Sequence, residues 1–173
     1  MQPTARTMNR FTRAIQMAIE DKNWYAALSL ALIIPDICGK IDQPNVLPKN
    51  RYMDWANKWF VPKYTSHIGP DRKEYIFLNA EDCYALRCSY LHAGSENISN
   101  EKIRKALEDF HFCEPPKNGN VEHMNQVDNT LQLQIDIFCC DMVSSVESWL
   151  KTRGSDYPDN TAHLLTIWPP IFD

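Results

Sequence analysis

Phe11, Ile15, Ala18 and Ile19 recur at three- and four-residue spacing near the start of the chain, so residues 5–21 are expected to form an amphipathic helix. Asn23 then offers a side-chain oxygen to cap a second helix beginning at Trp24. In "WYAALSLALIIPDICG" apolar residues occupy nearly every side, the pattern of a central helix surrounded by others. Pro35 is expected to kink this helix and Gly39 to end it. After the proline-rich connection "IDQPNVLPKN", Tyr52, Trp55 and Trp59 place a shorter third helix in "RYMDWANKWFVPKY", with its aromatics turned to the core.

Asn79 is placed to cap a fourth helix over residues 80–93, with Glu81 and Asp82 against its positive end and Gly94 at its close. "SNEKIRKALEDF" repeats Ile103, Ala106, Leu107 and Phe110 and predicts a fifth, solvated helix. The period then changes. "FHFCEPP" and "TLQLQIDIF" alternate apolar and polar residues around the polar stretch "KNGNVEHMNQVDN", which predicts a β-hairpin excursion over about residues 110–135. A last helix follows, with Ile137, Cys140, Met142, Val143, Val146, Trp149 and Leu150 on one face and Gly154 as its stop. The tail, residues 155–173, contains "HLLTIWPPIFD", apolar but broken by proline, and is expected to pack on the bundle or on a partner subunit. The fold class expected is all-α, a helical bundle with a small β-hairpin insertion.

Composition narrows this further. With 173 residues and 44% hydrophobic content, the chain can bury one sizeable core, so a single domain over residues 1–173 is expected. A formal charge of −4 provides no overall attraction to polyanions, so any nucleic-acid contact must come from a local group. Arg10, Arg13, Gln16 and Glu20 interrupt the apolar positions of the first 23 residues, leaving no secretion-signal core; a cytoplasmic location is the expectation. The longest apolar run is interrupted by Pro35 and Asp36 and reads as a core helix, not a membrane anchor. Six cysteines without a CxxC pair fit reduced, partly buried thiols and no structural metal site.

The candidate chemistry lies in "YALRCSYLHAG", residues 84–94, where Arg87 interrupts an apolar helix face and His92 follows near the helix end. A guanidinium keeps its proton and presents a planar fork of donors suited to carboxylate or phosphate, so Arg87 must be paired or line a cleft. Five helical residues separate the two Cβ atoms by about 140° around the axis. The length of arginine and the fraying last turn still let their heads converge. The carbonyl end of the helix favours an imidazolium at His92, suiting it to give and take protons near neutral pH. A phosphate-gripping cation beside a titratable imidazole is a minimal set for phosphodiester cleavage without metal.

"LRCSYLHAG", on a late helix of a small helical domain, resembles the R-x4-6-H motif of HEPN domains. The resemblance implies a metal-independent endoribonuclease without a cofactor, of the kind often found among toxins and defence factors, whose homodimer lines one cleft with two copies of the motif. It implies Arg87 and His92 as catalytic residues, and RNA and an antitoxin or other protein as partners; Tyr84, Cys88, Ser89 and Asp36 are the candidate supporting neighbours of that pair. Cys88 departs from the Asn, Asp or His often found after the motif arginine.

Other readings stand beside this one. Arg87 can serve as a core ion pair with Asp36 or Asp141, and His92 can bond the terminal carbonyls of its helix. The domain would then be a non-catalytic binding or adaptor module for a nucleotide or protein. Arg104 and His111 satisfy the six-residue form of the same motif, but in a charged, solvated segment. Cys88 with His92 is a thiol–imidazole pair lacking an evident third group, and "HFCEPP" with His123 and the Cys139 and Cys140 pair is a metal set only if the hairpin folds back.

Overall fold

The computed structural model describes residues 3–91 and 108–153. The protein is mainly helical with small β elements. Helix α1 spans Pro3–Glu20 and buries Met8 and Ile15. Lys22, at a left-handed φ of 54°, turns the chain sharply into α2, Trp24–Asp42. The side chain of Asn23 caps α2 as expected, accepting from the Ala26 N–H at 3.3 Å. Helix α3, Pro48–Trp59, starts on a proline at its first turn and leads into a 3-10 turn over Val61–Tyr64. Helix α4 is Ala80–Leu91, with Asn79 Oδ1 accepting from the Asp82 N–H at 2.9 Å. Helix α5, Ile135–Thr152, is the last described element.

Helix α2 is the central one, touching α1, α3, α4 and α5. By length and composition it could cross a membrane, and half of its most apolar stretch is buried inside the molecule. It continues through Pro35 and beyond Gly39 to Asp42, which corrects the expectation that Gly39 ends it. Gly39 has another role: a Cβ there would lie 2.5 Å from the backbone oxygen of Arg51 on α3. The missing side chain is what lets α2 and α3 cross so closely. Gly39→Ala should therefore overpack the crossing and cost about 1–3 kcal/mol, read as a lower urea midpoint with an unchanged slope.

The β structure differs from the expected hairpin in two ways. Strands β1, Thr65–Ile68, and β2, Lys73–Ile76, form an antiparallel hairpin with Thr65 opposite Ile76, where the sequence reading placed no element. Gly69 and Arg72 take the left-handed turn positions. Strand β2 is exposed along its whole length, so it lacks the apolar alternation that marks a half-buried strand. Second, β3, Phe110–Cys113, and β5, Thr130–Gln134, pair in parallel rather than as a hairpin. The hairpin partner of β5 is the short β4, Asn125–Val127, and the sheet order is β3-β5-β4.

Strand β5 runs directly into α5, and this sets the phase of the helix. Ile135, Phe138, Cys139, Met142, Val143, Val146 and Trp149 face the core, while Cys140 is exposed. The expected face, begun at Ile137 and Cys140, was thus one residue out over the first turn. Phe138 lies between Phe60 and Phe112, with ring centroids 5.2 and 5.1 Å away in edge-to-face contact, and Trp149 meets Trp55 edge-on at 6.3 Å. Almost all of the expected fifth helix, Gly94, Gly154 and the tail over 155–173 lie outside the described residues.

Candidate functional site

Helix α4 buries Ala80, Cys83, Tyr84, Ala85, Leu86 and Cys88, leaving little of its circumference for a charge. Beyond the acidic first turn of Glu81 and Asp82, Arg87 is the one charge on it. Its side chain is 19% exposed, and Nη2 lies 2.8 Å from Oδ2 of Asp36 on α2, whose own side chain is 18% exposed. Of the two partners that the sequence offered, Arg87 takes Asp36. Asp141 instead accepts from the Tyr64 hydroxyl at 3.3 Å and lies 3.7 Å from Lys63 Nζ.

The Arg87–Asp36 contact is short, yet it is one-point rather than a two-pronged fork. Asp36 Oδ2 has no aligned hydrogen-bond donor among the described residues, and Arg87 Nε is buried without an acceptor among them. Nη1 donates to the Cys88 Sγ at 3.7 Å, and the guanidinium carbon lies 5.9 Å from the centre of the Tyr84 ring. Burial works against the charged form of Arg87, but the Asp36 carboxylate and the Cys88 thiol outweigh it and hold the group above its ordinary range. Burial, with Cys88 beside it, likewise raises the Tyr84 phenol. The site thus holds one permanent cation, partly desolvated, with donor capacity that its protein partner does not use.

The expected supporting residues divide. Tyr84 and Cys88 pack against the guanidinium, and Asp36 pairs with it. Ser89 donates to the Leu86 carbonyl of its own helix at 2.8 Å, so its hydroxyl is already engaged. His92 lies outside the described residues, as does Arg104. His111 sits on β3 rather than at a helix end.

Sequence reasoning missed the support beneath the site. The Tyr52 hydroxyl lies 3.3 Å from both the Leu32 carbonyl of α2 and the Cys83 carbonyl of α4. This ties together the two helices that carry Asp36 and Arg87. Burial pushes its phenol well above the ordinary range, so the hydroxyl stays protonated and donating. A buried tyrosine at helical spacing looks like any core aromatic, and only its long-range partners mark it.

Two buried thiols near the core add no reactive chemistry. Burial pushes Cys139 up to about 12, and Cys83 higher still, so neither forms thiolate near neutral pH. Among the described residues, no three His, Cys, Asp or Glu side chains gather into a metal-holding group. A groove of about 600 Å³ on the three-stranded sheet is lined by His111, Cys113, Asp128, Thr130 and Gln132 among others, none of them in the Arg87 cluster. The chain matches no family model, no curated protein and no solved structure.

Proposed function

We propose that the chain is a HEPN-like helical domain that forms a homodimer across α4 in the cytoplasm and cleaves RNA without metal or cofactor. The observation that carries this reading is the state of Arg87. It is a charged guanidinium on an otherwise buried face of α4, 19% exposed and touched by one carboxylate through a single short contact, which leaves donors of its fork unused. Leaving such a donor unmade is costly, and a phosphate group supplies the acceptors that Asp36 does not.

In this reading the ribose 2′-hydroxyl attacks the adjacent phosphorus and the bond from phosphorus to the 5′ oxygen breaks. His92 takes and returns the proton, while Arg87 holds the charge that develops on the phosphate oxygens. Tyr84 and Cys88 support the guanidinium, and Asp36 positions it until RNA binds.

The products should carry 2′,3′-cyclic phosphate and 5′-hydroxyl ends, equally in EDTA and in magnesium. DNA, and RNA methylated on the 2′ oxygen at the cut site, should stay intact. Sedimentation at micromolar concentration should give a dimer. A monomer that leaves every tested RNA uncut would end this reading.

The Arg87–Asp36 contact itself favours a second reading. As an ion pair joining α2 to α4, it would serve equally well in a non-catalytic module that binds a nucleotide or a protein such as an antitoxin. RNA or protein bound tightly by a dimer that never cuts RNA is the result that selects it.

A further inference from the structure

His123 stands beside the corner where β5 becomes α5. Its Nδ1 accepts a hydrogen bond from the Gln134 backbone N–H at 3.2 Å, and its ring meets that of Tyr64 at 5.6 Å between centroids. Its Nε2 is buried with no hydrogen-bond partner among the described residues. A ring nitrogen that accepts carries no proton, so this imidazole is neutral, with its single N–H on Nε2. The contact is reciprocal. Gln134 Oε1 accepts from the Glu122 N–H at 2.8 Å, and its amide nitrogen donates to Asp136 Oδ1 at 2.9 Å. The Cys113 thiol also reaches the Glu122 carbonyl at 3.5 Å. These bonds hold Glu122 and His123, at the end of the 114–124 connection, against the corner, next to Met124 at a left-handed φ of 55°, a conformation that methionine rarely adopts.

We propose that His123 is an acid-released latch: neutral, it fastens the 114–124 connection to the β5–α5 corner, and a proton from solvent at Nδ1 unfastens it. The proton occupies the lone pair that the Gln134 N–H uses, so two donors then face each other. Nothing in the contact replaces the lost bond.

The carboxylates around the ring and its burial oppose one another. Asp141 and Asp136 on α5 favour the imidazolium, but Asp141 is shared with Lys63 and the Tyr64 hydroxyl, and Asp136 is engaged by Gln134. Glu122 is held by Asn125 at 3.4 Å. Burial prevails over the carboxylates and pushes His123 below its ordinary value. The open connection therefore takes up the proton more readily than the closed one. The latch holds fully above about pH 6.5, the value of a free imidazole. It weakens as the pH falls through that value towards the lowered one of the closed form.

Hydrogen exchange on the intact protein tests this directly. The Gln134 amide should lose up to about tenfold of its protection for each pH unit over that window, after correction for intrinsic exchange, because one proton is coupled to opening. His123 should titrate below a free imidazole by nuclear magnetic resonance, with Nδ1 unprotonated at pH 7.5. In His123→Gln the amide oxygen can accept from Gln134 without titrating, so the acid-dependent loss should disappear. Gln134 protection equal at pH 7.5 and 5.0 in the wild type would overturn the proposal, as would an Nδ1 that carries the proton at pH 7.5. The wild-type measurements decide the matter even if the variant folds poorly.

Discussion

Asp42→Ala should lower the unfolding free energy by about 3–5 kcal/mol, the scale for removing one partner of a buried ion pair. Asp42, at the C-terminal end of α2, pairs through Oδ1 with Arg153 and accepts from the Trp149 indole N–H through Oδ2 at 2.9 Å. The Arg153 side chain is only 3% exposed and lies over the Trp149 ring, with its guanidinium carbon 4.6 Å from the ring centre. Removing the carboxylate takes one counter-charge from a guanidinium that water barely reaches, and strips the indole of its acceptor. For a chain of this size the loss corresponds to a fall in Tm of roughly 6–20 °C. Asp42→Asn keeps an acceptor for Trp149 and should fall between the two. An alanine variant within 1 kcal/mol of wild type would mean that Arg153 is held adequately by its other surroundings.

His92→Ala should reduce RNA cleavage by about 10²–10⁴-fold, the contribution of a positioned acid–base group, and leave Tm close to wild type. Arg87→Ala should reduce cleavage as well, but it should also destabilise the fold, because it abandons the half-buried carboxylate of Asp36. Paired with Asp36→Ala in a double-mutant cycle, it should show a coupling energy of about 0.5–3 kcal/mol in stability. The two variants thus separate chemistry from architecture. Cleavage that survives His92→Ala would remove the histidine from the mechanism. Zero coupling between positions 36 and 87 would mean that the ion pair adds nothing to the fold.

Local signals in the sequence carried most of the helical part of this fold. Asn23 and Asn79 marked two helix starts because a cap acts on the very next turn, and the aromatic spacing from Tyr52 to Trp59 marked α3 by its period alone. The β part depended on contacts that no local pattern encodes. Phe110–Cys113 and Thr130–Gln134 alternate as strands should, but nothing within either says whether they run parallel, and the three-residue β4 is exposed throughout. The β1–β2 hairpin was invisible for the same reason, since a strand wet on both faces has no apolar rhythm. Gly39 misled because a glycine near the end of an apolar run suits a helix stop as well as a close crossing, and the Arg51 backbone that decides the matter lies 12 residues away. At the candidate site, the chemical type of Arg87 required a partner, and the sequence offered Asp36 and Asp141. The choice between them follows from the way α2 crosses α4, with Tyr52 bonding both.

The placement of α5 also bears on how the chain reaches this state during synthesis. Helices α1 to α4 leave the ribosome first, yet Trp55 stacks edge-on against a ring of α5, Phe60 meets another there besides Tyr64, and the bond from Trp149 to Asp42 spans 107 residues. Until α5 emerges, the central helix and its neighbours present apolar faces with nothing to cover them, the kind of surface that chaperones bind. Loop closure of that length comes before the contacts that repay it, so docking of α5 should be the slow, high-contact-order step of folding. The nascent chain is thus most exposed to aggregation just before its last described helix is made.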